Sequence, residues 1–244
     1  MRERDVKIYG WLLLGSALLS LLAAAHHPEA AAHDLPTALR ILAAETRLIG
    51  AVHGILIFLG LVELLGLYGV ARLLGLARPL AAAGLLFVGM GFVAMIGAAA
   101  INGFAVPAFG SDFRNIGPAD FRAATMLLRL CWDLNQALAS IGAVAWGIGL
   151  LAWSVELARR SGLVRVVGLL GAAAALTIAI GVASGLIRLH VGGFIAVTAL
   201  LSAWSVTVAL LMLTGRLTAA QPDGSASGLI GRSVDHHSAS ELTR

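Results

Sequence analysis

The sequence predicts an all-α fold, a polytopic membrane helix bundle of about six transmembrane helices, and three observations predict it. Hydrophobic residues make up 59% of the 244-residue chain and charged residues only 12%, with a mean hydropathy of +0.91. A soluble domain carries roughly a quarter charged residues, so too little polar side chain is present to coat a globule, whereas lipid solvates an apolar exterior. Nearly charge-free runs of membrane-spanning length recur along the chain, as needed to cross roughly 30 Å of hydrocarbon at 1.5 Å per residue. These runs exceed the ~9–11 residues of a membrane strand and lack strict alternation, which excludes a β-barrel. Backbone polar groups in lipid must be satisfied within the segment, which leaves the α-helix.

The first span covers residues 8–25. Arg2, Arg4 and Lys7 ahead of it and Ala23-Ala24-Ala25 at its end also fit a cleavable signal peptide, but Glu3 and Asp5 and the length of the apolar run favour a retained anchor. A polar loop follows, then Leu35–Arg47, where Asp34 and Pro36 supply a helix-start signal and Leu35, Leu39, Leu42 and Thr46 share one face. That pattern predicts a short helix lying in the interface. The second span, 48–74, is uncharged from Leu48 to Ala71 except at Glu63. The third, 79–104, precedes Pro107 and Gly110, which are expected to end the helix near Phe104. Pro118 is read as opening a helix that runs through Phe121 and Arg129 into the fourth span, 134–156. The fifth span is 164–187 and the sixth 192–215, so residues 1–220 form the bundle. Residues 221–244 are polar and Gly/Ser-rich, the composition of a disordered cytoplasmic tail.

Orientation follows from arginine, which supplies 16 of the 17 basic residues. With the N-terminus cytoplasmic, nine basic residues (Arg2, Arg4, Lys7, Arg72, Arg78, Arg159, Arg160, Arg165, Arg216) fall inside and six (Arg40, Arg47, Arg114, Arg122, Arg129, Arg188) outside. The positive-inside rule therefore places both termini in the cytoplasm. The arginine, alanine, glycine and leucine bias is that of a GC-rich bacterial coding sequence, which implies a bacterial inner membrane. The basic residues are scattered rather than gathered, which speaks against a nucleic-acid partner. The single cysteine, Cys131, excludes an internal disulfide and a zinc ribbon.

Arg47-Leu48-Ile49-Gly50 opens a helix ending Leu67-Tyr68-Gly69-Val70-Ala71-Arg72-Leu73-Leu74. Later, Ala145-Trp146-Gly147-Ile148-Gly149-Leu150 leads to Arg160-Ser161-Gly162-Leu163-Val164-Arg165-Val166-Val167-Gly168. From about Arg47 to Ala203 the chain resembles a bacterial family of six-helix integral membrane proteins classed as a domain of unknown function. The resemblance implies the architecture and no chemistry. That family's pattern is expected to place an aspartate six residues after the helix-opening arginine, where this chain has His53.

An ionised group at the bilayer centre costs about 2.5–3.5 kcal/mol or more. Glu63, 15 residues into its span and roughly 22 Å deep at 1.5 Å per residue, is the deepest. It is expected as a neutral acid, with Ser16, Trp146, Thr177 and Ser205 offering donors at similar depth. His53, Gly60 and Glu63 share a broad face, and Asn102 on the third span lies level with His53. Arg129, Asp133, Gln136 and Ser140 form one polar stripe on the fourth span, with Arg129 and Asp133 spaced to pair at i, i+4. Glu63, His53, Asn102, Asp133 and Gln136 are the candidate ligand- or proton-binding residues, around a pocket opening outward between the second, third and fourth spans.

His26, His27 and His33, with Glu29 and Asp34, could supply nitrogen and oxygen ligands to Zn²⁺ or Cu²⁺, though without a fixed motif spacing. His53 and His190 are the pair open to a haem. The glycines of the third and fifth spans, including Gly84, Gly91 and Gly171, read as close-packing positions. No HExxH, CxxC or phosphate loop occurs. The sequence therefore supports binding or movement of a small ligand or proton in the bilayer. A metal- or haem-dependent redox protein and a structural membrane subunit are the alternatives.

Overall fold

The computed structural model describes residues 1–26, 34–113, 115, 117 and 119–218. Its helices are α1 (Glu3–Ala25), α2 (Leu35–Leu74), α3 (Pro79–Ala100), α4 (Val106–Asp112), α5 (Phe121–Ala158), α6 (Gly162–Ala183) and α7 (Val191–Leu213), and a π-turn, Ile101–Ala105, joins α3 to α4. Six of them, all but α4, are long and apolar enough to cross a membrane, and no strand occurs among the described residues. The exterior matches: Phe58, Leu86, Val93, Leu170 and Ile180 are each at least 60% exposed. Apolar surface on that scale is untenable in water and is what lipid requires. The chain is an all-α membrane bundle.

The spanning helices alternate in direction, which gives the bundle a lower end with Glu3, the 74–79 turn, the 159–161 turn and Leu217. Its upper end holds Ala25, residues 35–47, α4 and the 184–190 turn. Tight lower turns use glycine where the backbone enters the left-handed region, at Gly75 (φ 94°) and Gly162 (φ 62°). α1 packs along α2 and α7, α5 packs along α3 and α6, and α2 bridges the two groups through α3.

Seven-residue spacing locks α3 to α5. Gly84 and Gly91 on α3 face Trp153 and Trp146 on the antiparallel α5, so that a Cβ on either glycine would overlap the opposing indole. Gly142 and Gly149 return the favour, each lying close to a carbonyl of Gly91 or Gly84. Trp153 Nε1 donates to the Ala81 carbonyl at 3.0 Å, fixing the ring. Small residues let the backbones approach while the indoles fill the remaining gap. At the lower end, Leu13, Val70, Leu74, Ala81, Leu157 and Met212 form a fully buried layer.

Two local expectations change. The predicted interfacial helix is instead the first third of α2, which runs unbroken for 40 residues. Asp34 caps it by accepting from Thr37 N at 2.8 Å, Pro36 occupies the first turn, and no proline follows to end it. Leu39 and Leu42 on its shared face are buried, and that face packs against α4. Thr46 continues the contact, its hydroxyl 3.2 Å from Ser111 Oγ. Helicity also continues past Phe104 to Asp112, because the π-turn widens the helix just before Pro107, which lacks a donor. Pro118 and residues 219–244, including the expected tail, lie outside the described residues.

Candidate functional site

Between α2, α3, α5 and α7 lies a cavity of about 200 Å³ that also touches Ser20 of α1. It extends to the exposed side chains of Trp132 and His190 near the upper end. Downward it stops at Leu67, Leu150 and Trp153, above the buried layer.

The lower tier of the cavity holds Glu63. This residue is 11 positions before Leu74, about 16 Å from the end of α2 at 1.5 Å per residue, hence near mid-span. Ser205 Oγ of α7 donates to Glu63 Oε1 at 2.9 Å. Of the four donors at this depth, Ser205 is therefore the partner. Ser16 and Thr177 donate to carbonyls of their own helices, Leu12 and Ala173, a local alternative always open to hydroxyls in helices. Trp146 Nε1 has no hydrogen-bond partner among the described residues and faces the Gly91 crossing. Around Glu63 the walls are aromatic: Phe92 and Trp146 meet edge to face at 5.0 Å, and Trp153 and Trp204 stack at 6.2 Å.

The upper tier holds His53, 4% exposed. Its Nδ1 lies 2.8 Å from the Ile49 carbonyl, which only accepts, so the proton sits on Nδ1 in the neutral ring. Nε2 is then an acceptor and receives the Asn102 amide at 3.4 Å. The π-turn delivers Asn102 to this position. Gly103 beside it presses on His53, where an added Cβ would overlap His53 Cβ and Cγ. Gln136 lines the same tier and donates from Nε2 to the Leu189 carbonyl at 3.2 Å, tying the turn before α7 to α5.

The structure thus brings Glu63, His53, Asn102 and Gln136 to one cavity. Asp133 is not among its lining residues; it is exposed on α5, and neither it nor the exposed Arg129 pairs with the other. The i, i+4 spacing puts both on one face, but at an exposed site solvation of each charge competes with the pair. His26 is exposed, its Nδ1 donating to the Leu22 carbonyl at 2.9 Å, and no group of three metal-ligating side chains occurs among the described residues. His27 and His33 lie outside the described residues. His190 caps α7, its Nδ1 accepting from Gly193 N at 3.4 Å.

Sequence reasoning missed two features. One is α7, which supplies Phe194, Thr198, Ser202 and Ser205 to the cavity; its hydroxyls were visible, but its position opposite α2 depends on packing against α1. The other is the lower seal. Glu156, 6% exposed, lies 3.4 Å from Arg78 and 3.0 Å from Arg159, while Arg160 reaches the carbonyls of Leu73 and Thr218. Burial, then repulsion by Arg78, holds the Arg160 guanidinium below its usual range, and Glu156 opposes that shift. Glu156 and the arginines were legible as span boundaries, not as a cluster.

Fold and site define a multi-pass integral membrane protein with a central cavity that is apolar and aromatic save for a few polar groups at two depths. Compared with protein-family models, curated proteins and solved structures, the chain matches none.

Proposed function

We propose that the protein, in a bacterial inner membrane with both termini cytoplasmic, binds or moves a small ligand or a proton through a cavity that opens outward. The observation that carries this reading is a mid-span carboxyl, Glu63, placed on the wall of the cavity. A carboxyl that served packing alone would sit in a filled, hydrogen-bonded niche, since close packing is the rule in helix bundles. The positive-inside balance supports the orientation, and the exposed Trp132 and His190 support an outward mouth. The ionic cluster around Glu156 supports closure on the cytoplasmic side. The six-helix family resemblance belongs to the same proposal.

Accessibility tests it. Cys131→Ser removes the one native thiol, and Thr198→Cys then places a thiol on the cavity wall. In right-side-out vesicles this thiol is expected to react with a small membrane-impermeant methanethiosulfonate. A thiol at Val167, buried between helices, is expected to stay unreactive. Protection of Thr198→Cys from outside would remove the outward-opening cavity.

A further inference from the structure

We infer that this cavity binds a small lipophilic organic cation, an amine or quaternary ammonium, with Glu63 as its counter-ion and Phe92, Trp146, Trp153 and Trp204 as its aromatic wall. The inference rests on the cavity reading above and names the class of ligand.

Charge decides first. Among the described residues that line the cavity, Glu63 is the one carboxyl and no lysine or arginine occurs. Ser205 Oγ donates to Glu63 and Ser202 Oγ to the Ala17 carbonyl, while the rest of the lining adds Ser20 of α1 and mainly apolar or aromatic side chains of α3 and α5, so no described lining residue supplies a fixed positive charge to Glu63. The other titratable lining groups are His53 and His190, both in the upper part. An anionic ligand would meet the carboxyl with no compensating cation, whereas a cationic one completes an ion pair in a low-dielectric space.

The walls decide next. Phe92, Trp146, Trp153 and Trp204 are among the aromatic rings lining the space, and the negative potential of an aromatic face attracts cations, most strongly where water is excluded. Two buried indole N–H groups without partners, on Trp146 and Trp204, would otherwise argue for an acceptor ligand. They do not face the cavity, however. A Cβ on Gly91 would lie 2.8 Å from Trp146 Nε1, and one on Gly171 would overlap Trp204 Nε1, so both donors point into helix crossings. The cavity of about 200 Å³ is smaller than the roughly 300–1,000 Å³ of drug-sized sites, which limits the cation to a small one.

Entry of a cation converts the neutral acid to a carboxylate. The Glu63 O–H bond breaks, its proton leaves to water through the upper mouth, and the ammonium takes its place. No oxidant or further reactant is required, and the site's net charge stays unchanged.

The test is isothermal titration calorimetry on the full chain in lipid nanodiscs with three probes sharing one ring: benzyltrimethylammonium, benzyl alcohol and benzoate. The cation is expected to bind most tightly, and Glu63→Gln to weaken it about 100-fold or more while leaving benzyl alcohol binding in place. In the wild-type protein, acidifying the buffer should weaken cation binding as protons compete for Glu63. That trend decides the matter even if Glu63→Gln does not fold. In the variant that pH dependence should be largely lost. Benzoate or benzyl alcohol binding as tightly as the cation would overturn the cation assignment and leave the cavity reading standing. Failure of all three probes to bind would overturn the cation assignment, and the reactivity of Thr198→Cys then decides the cavity reading separately.

Discussion

The Ser205–Glu63 hydrogen bond joins α7 to α2, and a double-mutant cycle on it reports both geometry and charge. The perturbations are Ser205→Ala, Glu63→Leu and the pair together. At 2.9 Å the bond is well formed. Interhelical hydrogen bonds of neutral groups in membranes average about 0.6 kcal/mol and reach about 1.7, because each partner finds alternatives in the unfolded, membrane-inserted chain. Here Ser205 can turn back to a carbonyl of its own helix, so the lower half of that range is expected, about 0.5–1 kcal/mol. A hydrogen bond to an ionised carboxylate would instead couple by about 1.5–3 kcal/mol. Reversible unfolding in mixed detergent micelles, followed by circular dichroism, supplies the four free energies. Coupling of about 0.5–1 kcal/mol identifies the neutral acid. Coupling indistinguishable from zero would refute the contact, and a value above about 1.5 kcal/mol would refute the neutral state.

Three other outcomes are expected. Gly84→Ala should destabilise the bundle by about 1–3 kcal/mol, and Trp153→Leu in the same chain should recover part of that loss, because the added methyl collides with the indole; strictly additive costs in an unfolding assay would dissolve the proposed lock. Glu156→Ala should cost about 1–3 kcal/mol, more than the same change at the exposed Asp133, since it removes a buried carboxylate that both Arg78 and the exposed Arg159 reach; thermal melts of both variants compare them. Reporter fusions at Gly75 and Gly162 should read as cytoplasmic and one at Asp112 as external, and the reverse pattern would invert every side assignment.

Architecture was legible because it rests on a single strong constraint, the cost of charge in hydrocarbon. Charge-free gaps mark all six spanning helices, yet they locate lipid crossings and not helix ends. α2 extends 13 residues above the Leu48 boundary, and α5 begins at Phe121, well ahead of Leu134, as the reading of Pro118 and not the gap indicates. Nothing in a hydropathy gap registers that a helix continues beyond the membrane. Glu63 and His53 were legible for the same reason as the spans, and Asn102 by matching depth. Depth fixes height but not azimuth, which is why Ser16, Trp146, Thr177 and Ser205 were equivalent in sequence and only Ser205 meets Glu63. The Gly84/Gly91 and Trp146/Trp153 pairs share a seven-residue spacing, but the glycines alone read only as close-packing positions and their facing indoles emerge from the antiparallel register of α3 and α5. Asp133 shares a stripe with Gln136, but a helical face is broad enough for one to line the cavity and the other to face out.

We propose that Glu63 is a protonated carboxyl on the wall of a water-accessible cavity. An infrared difference spectrum, wild type minus Glu63→Gln, recorded near neutral pH in H₂O and again after transfer to D₂O, tests it most directly. A carbonyl-stretch band of a protonated acid that shifts promptly to lower frequency in D₂O is the predicted result. Absence of that band, or a band unmoved by D₂O, would mean that Glu63 is ionised or sealed in a dry core, and the account would fail.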